Sequence, residues 1–160
     1  MTPLSWTLLI LFWFLLAAAA IGDVRNLRIS NGMCLAVLVA AIVLLLVRQG
    51  AGPWWHHVAS FAIMLGIGFG LFSAGWLGGG DAKFAAAVAT LFDLRELLWF
   101  IEATALAGGL LGIALLLFRR LSLKKSGRWL GLVGNAAVPY GVAIAIGGAW
   151  VSVRLIVASA

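Results

Sequence analysis

The sequence predicts an all-α fold: a polytopic transmembrane bundle of six spans, N-out and C-out, with a short fourth span. Three observations predict it. Hydrophobic residues make up 64% of the 160-residue chain and charged residues 10%, with a mean hydropathy of +1.15; a soluble domain is about half apolar and roughly a quarter charged. The apolar residues fall into six runs. The Lys and Arg residues between those runs divide unevenly between the two sides. Five acids and eleven bases are too few to cover the surface of a soluble fold. A soluble enzyme, a disordered chain and a soluble nucleic-acid binder are therefore excluded. The length fits one integral-membrane domain over 1–160.

The candidate spans are 4–22, 32–47, 54–77, 82–92, 97–118 and 137–158. A bilayer core needs about 20 apolar helical residues, which the first, third, fifth and sixth supply. The second is marginal. The first follows Met1–Trp6, which carries no Lys or Arg, and precedes Arg25 and Arg28. It is therefore expected to be an uncleaved anchor with its N-terminus outside. The fourth, at 11 residues, covers only ~17 Å. It is expected to extend through Asp93–Glu96 or to lie where the bilayer thins. With all six crossing, Arg25, Arg28, Lys83, Arg119, Arg120, Lys124, Lys125 and Arg128 face inward, against Arg48, Arg95 and Arg154 outside. That is the positive-inside direction. If the fourth did not cross, the dense Arg119–Arg128 loop would move outside.

Trp54, Trp55, Trp99, Trp129 and Trp150 fall near span ends, as an interfacial belt requires. Gly66/Gly70 and Gly108/Gly112 are GxxxG pairs that permit close helix packing. The net charge of +6 lies between apolar runs, so its expected partner is the anionic lipid headgroup layer and not nucleic acid. The single cysteine, Cys34, makes neither an intrachain disulfide nor a CxxC metal site.

So few acids can be taken singly. Asp93 and Glu96 are expected to solvate a loop and charge a helix end. Glu102, inside span five, is expected to pair with Arg154, at similar depth in span six, because a charge there is costly alone. Asp23 and Asp81 differ. Asp23 follows Gly22 at the inner end of span one; Asp81 follows Gly78-Gly79-Gly80 at the inner end of span three. Spans one and three run the same way, so the two carboxylates reach the same leaflet, where they are the only acids. Asp81 as a helix N-cap and Asp23 as an interfacial polar residue are the structural alternatives.

Two carboxylates brought together in a low-dielectric cleft do not both ionise easily. One then serves as acid while the other serves as base. With a water between them, this is the chemistry of aspartyl peptide hydrolysis, and it needs no metal or other cofactor. The triple glycine lets the backbone bend sharply and lets a substrate strand approach closely.

Gly78-Gly79-Gly80-Asp81-Ala82-Lys83 fits G-x-G-D-x-K, and Asp23 to Asn31 reads DVRNLRISN. Together they resemble the two aspartate motifs of the type IV prepilin peptidase family, intramembrane aspartyl proteases of the GxGD kind. Ser30 stands where that family's first motif has Pro. Val138-Pro139-Tyr140-Gly141 is similar to its final-span signature. The resemblance implies that Asp23 and Asp81 are the catalytic pair, supported by Gly78, Gly80 and Lys83; as a plain topology charge, Lys83 would only anchor the inner face. It implies a prepilin substrate, with a short basic leader and a hydrophobic helix, cleaved at the cytoplasmic face of the bacterial inner membrane. Larger members carry a zinc-binding insertion with two CxxC pairs and also N-methylate the product. Only Asp23–Asn31 separates the first two spans here, and one cysteine is present. The size resembles the compact peptidases of tight-adherence (Flp) pilus systems or their archaeal preflagellin relatives, which implies proteolysis without an implied methylation.

Arg25 and Arg28 are topology charges, or groups that tune Asp23 or contact substrate. His56 and His57, adjacent and on different helix faces, are expected to be interfacial. Ser122 and Ser126 have no histidine on their side to act as base. The competing reading is a non-enzymatic pilus-assembly scaffold or small transporter with structural aspartates. A transporter needs a polar path across the bilayer, and the outer halves of spans one to three lack one.

Overall fold

A computed structural model of the chain describes residues 3–47, 52–122 and 139–158. Over these residues the fold is all-α. Its helices are α1 (Pro3–Asn26), α2 (Asn31–Val47), α3 (Trp54–Ser73), α4 (Gly79–Ala89), α5 (Leu94–Ser122) and α6 (Tyr140–Ala158). Three are long and apolar enough to cross a membrane: Pro3–Asn26, Trp54–Ser73 and Leu94–Phe118. Asn31–Val47 and Tyr140–Leu155 are shorter apolar helices. Arg48, Lys124, Lys125, Ser126, Arg128, Trp129 and Val138 lie outside the described residues.

The helices extend beyond the apolar runs where polar residues keep the backbone bonding. Helix α1 continues through Asp23 to Asn26 and ends with Leu27 in the left-handed region (φ 51°), its N–H donating to the Asp23 carbonyl at 2.7 Å. This is a left-handed C-terminal stop. Helix α3 stops at Ser73, short of residue 77, because Gly75 (φ 75°) turns the chain. Helix α4 does not extend through Asp93–Glu96. It ends at Ala89, and α5 starts afresh at Leu94 behind a capping box. There the Asp93 carboxylate accepts the Arg95 and Glu96 N–H groups at 2.8 Å each, and Glu96 accepts the Asp93 N–H at 3.0 Å.

Helix α4 is the centre of the bundle. It packs against α2, α3 and α6; α1 lies against α2 and α6, and α5 against α6 and α3. From Ala82 to Phe92 only Lys83 is exposed, and every other residue is buried. A helix apolar on all faces belongs inside a bundle, which is why this segment tolerates being so short. Close packing, rather than water exclusion, holds helices together in lipid. The small residues here are placed for it. A Cβ on Gly68 would meet the Ala82 Cβ at 2.9 Å, and one on Gly148 would meet Val88 Cγ1 at 2.7 Å. The expected Gly66/Gly70 pair is not a contact within the described residues: a Cβ at either meets nothing within 4 Å. The contact glycine of α3 is two residues away, on the face that carries His57, Ser60 and Met64. Gly108 does receive a neighbour, the Tyr140 ring and Ala143 of α6, whereas Gly112 meets nothing.

Two further expectations are corrected. Arg154 does not pair with Glu102 among the described residues. Its guanidinium lies over the Trp99 ring, 3.7 Å from the centroid, and Glu102 is exposed. An indole face supplies the cation a partner without a second buried charge. His57 does not face outward but is 2% exposed within the bundle, with Nδ1 3.2 Å from the Thr90 carbonyl oxygen. It thus serves a backbone acceptor left over at the C-terminal end of α4. His56 stays half-buried beside Trp55.

Candidate active site

Asp23 belongs to the buried stripe of α1. Ser5, Leu9, Phe12, Leu16, Ala19 and Asp23 recur at spacings of three and four and are all buried, so the carboxylate points into the bundle with the core. It is 3% exposed, and its Oδ2 accepts the Gly141 N–H of α6 at 2.7 Å.

Asp81 stands in the first turn of α4, half-buried. It is not the N-cap of α4; that position is Gly78, in extended backbone. The Asp81 carboxylate reaches back to the Gly78 N–H, as the acidic member of a capping box does. Burial, and then the neighbouring Asp23 carboxylate, push the Asp81 pKa up to about 6, against the lowering effect of that N–H. Asp23 is held by Gly141, Asp81 adjoins Gly80, and Ile29 packs against both glycines, so two acids 58 residues apart in sequence come to the same end of the bundle. Neither aspartate is on a loop: one closes a helix and the other opens one.

Ile29, in the short segment between α1 and α2, brings the two motifs together. It is buried. A Cβ on Gly80 would stand 3.0 Å from the Ile29 carbonyl oxygen and 3.4 Å from its nitrogen; one on Gly141 would stand 2.9 Å from Ile29 Cδ1. A Cβ on Gly78 would stand 2.8 Å from Asp81 Oδ2, whereas one on Gly79 would first meet the Phe72 ring at 3.4 Å. The G-x-G pattern therefore has a steric origin. The outer two glycines are hemmed in by the carboxylate and by backbone, and the middle one only by a movable ring.

Two weaker ties hold the same junction. Lys83 Nζ donates to Asn31 Oδ1 at 3.1 Å, and the Cys34 thiol approaches the Gly80 carbonyl oxygen at 3.7 Å. Ser30, in place of proline, caps α2: its hydroxyl accepts the Met33 N–H at 3.2 Å and its carbonyl accepts the Cys34 N–H at 3.1 Å. Arg28 is exposed and contributes to the wall of the site; Arg25 is exposed on the last turn of α1 and does not.

Beside Asp81 opens a polar cavity of about 360 Å³, lined by Leu27, Arg28, Ile29, Asn31, Asp81 and the triple glycine; Asp23 lies behind this wall, 3% exposed. It has room for water. A second, apolar cavity of about 540 Å³ runs between α3, α5 and α6, with Leu77 and Tyr140 beside the aspartate motifs and Gly109 and Gly112 along its wall. Among the described residues no three His, Cys, Asp or Glu side chains group as a metal site. Sequence reasoning missed Ile29 and Gly141 as parts of the site. The Gly after Pro-Tyr was the available signal, and the structure gives it a partner.

The family model described as the type IV leader peptidase family matches residues 9–113, a stretch that holds both aspartates, the triple glycine and Lys83 and ends before Tyr140. No curated protein and no solved structure matches the chain significantly.

Proposed function

We propose, for a chain that belongs to the type IV leader peptidase family and is thereby an aspartic prepilin peptidase, that Asp23 and Asp81 are its catalytic pair. The observation that supports this is Ile29, packed against Gly80 and against the Gly141 that holds Asp23, which brings both acids to one end of the bundle, where Asp81 lines a polar cavity. A water held between them loses a proton to the Asp23 carboxylate as it attacks the scissile carbonyl. Asp81, in its acid form, gives its proton to the carbonyl oxygen. The tetrahedral intermediate then collapses: the C–N bond breaks, the proton taken by Asp23 leaves on the new amine, and one hydroxyl of the gem-diol returns its proton to Asp81, leaving a carboxylic acid. Asp23 is assigned the base role because the Gly141 N–H, 2.7 Å from Oδ2, holds its carboxylate in one orientation. Gly78 and Gly80 shape the turn, Lys83 ties α4 to the α1–α2 segment, and Arg28 meets substrate at the cavity wall.

The six helices cross the cytoplasmic membrane as one domain with both ends outside, the aspartates facing the cytoplasm. No zinc-binding insertion interrupts the 27–30 segment. The substrate is a tight-adherence (Flp)-type prepilin, whose basic leader is removed and whose apolar helix lies along the cavity between α3 and α5. Anionic headgroups meet the exposed arginines. Co-expression with a prepilin tests this through a leader-sized mobility shift. Asp23→Asn and Asp81→Asn are each expected to abolish the shift while the protein still inserts; processing that survives either change would overturn the pair mechanism.

A further inference from the structure

We propose that the start of α6 is the third component of the active site, and that Gly141 is the residue that positions the Asp23 carboxylate for attack. The inference rests on Asp23 being catalytic, and it extends the site beyond the segment that matches the family model, residues 9–113.

The start of a helix leaves N–H groups without intrahelical partners, and in a buried place each needs an acceptor. Helix α6 begins with Pro139, which has no N–H to lose and whose carbonyl accepts the Val142 N–H at 3.2 Å. The Gly141 N–H is thereby left to point across the bundle. It meets Asp23 Oδ2 at 2.7 Å. Each group satisfies the other, and the contact fixes one carboxylate oxygen, leaving Oδ1 as the atom free to take a proton from water.

The same contact explains why the residue is glycine. A Cβ at 141 would stand 2.8 Å from Asp23 Oδ2, 3.0 Å from Asp23 Cβ and 2.9 Å from Ile29 Cδ1. Two of those three atoms belong to Asp23 itself, so any side chain at 141 displaces the carboxylate. Backbone conformation is not the reason, since Gly141 is helical and not among the positive-φ glycines. Tyr140 seats the helix start from the other side, its ring against Gly108 of α5, where a Cβ would stand 3.9 Å from Cε1. The base is thus held by α6 while the acid is held by α4, and Ile29 packs against both helix starts, at Gly141 and at Gly80.

The test is steady-state cleavage of a full-length type IV prepilin by the full-length enzyme in phospholipid vesicles. Gly141→Ala is expected to lower kcat about 100-fold, the size of effect that a misplacement of about 1 Å produces, with KM unchanged within about threefold. Ile29→Val removes the Cδ1 atom that the new methyl would meet. The Gly141→Ala/Ile29→Val double variant is therefore expected to stay about 100-fold below the Ile29→Val single. A kcat for Gly141→Ala within threefold of wild type would overturn the proposal; so would recovery in the double variant, which would assign the damage to Ile29 packing. Amide hydrogen exchange needs no variant at 141. Asp23→Ala should speed exchange at the Gly141 N–H by tenfold or more, and unchanged exchange would overturn the proposal. If Asp23→Asn still cleaves, the catalytic reading of Asp23 fails and this inference with it. If Asp23→Asn is inactive and Gly141→Ala is not, only the positioning role fails.

Discussion

The two ends of α4 solve the same problem in opposite ways. A short helix buried on all faces leaves polar backbone groups at both termini. At the Ala89 end side chains serve the helix termini and the charges: His57 serves the Thr90 carbonyl, Asp93 and Glu96 cap the next helix, and Arg154 rests on Trp99. The Gly79 end borders a cavity instead. Asp81 spends one contact on the Gly78 N–H, shares this end of the bundle with another acid, and borders a polar cavity. Acids at the first end are bound into structure. Acids at the second are each held by one backbone N–H, and one of them lines an open polar cavity.

The sharpest way to break that contrast is to remove one acid at each end. Asp81→Asn and Asp23→Asn should each lower kcat by about 10³-fold or more, within the range of a lost general acid or base. Asp93→Ala should cost about 1 kcal/mol of stability, the usual worth of an N-cap, measured as a drop in Tm in detergent, with kcat kept. Asp81→Asn carries a second expectation with a definite sign. Its folded pKa is about 6, above the ordinary 3.8, so the folded protein binds this proton more tightly than the unfolded chain. The stability it contributes is full below about pH 4 and is lost as pH rises through about 6. At pH 7 the charged group is a liability, and Asp81→Asn should raise Tm by a few degrees while abolishing activity. An inactive variant that also melts lower would contradict this account of Asp81.

Next in size is the glycine contrast. Gly80→Ala places a methyl 3.0 Å from backbone that has little room to move, and Gly79→Ala places one 3.4 Å from a phenyl ring that does. Cleavage assays should show a loss of about 100-fold for the first and under about fivefold for the second. The smallest effect is expected at Lys83. Lys83→Met removes one exposed hydrogen bond to Asn31, worth about 0.5–1.5 kcal/mol. Cleavage should fall by under about tenfold and the pH profile should hold its position, because the lysine acts as a tie and not as a charge on the acids.

How much of this was legible in the sequence follows from what apolarity reports. Runs of apolar residues marked all six helices because lipid and bundle interior demand the same composition. For the same reason they hid which face of each helix is buried. The stripe from Ser5 to Asp23 is plain in the structure, yet the opposite face, with Ile10 and Phe14 exposed, is just as apolar. Hydropathy thus gave no reason to choose Gly68 over Gly66 and Gly70. Helix ends were also misjudged where polar residues continue the backbone ladder, as in Asp23–Asn26. The expectation that Asp23 and Asp81 work as a pair came from scarcity and sidedness, since charges in membrane segments need a reason. The Glu102–Arg154 expectation used that logic and failed, because an aromatic face can replace a counter-ion. Ile29 carried no signal, being one apolar residue among many. Its role as the wedge between two glycines exists only in three dimensions.

The central claim is that Asp23 and Asp81 share one proton during catalysis, with Asp81 as its holder. The pH dependence of kcat/KM for prepilin cleavage, measured in vesicles between pH 4.5 and 9, addresses it directly. With Asp81 titrating near 6, kcat/KM should fall about tenfold per pH unit above that region as the proton leaves the pair. A profile that stays flat from pH 6 to 9 would contradict the shared-proton account.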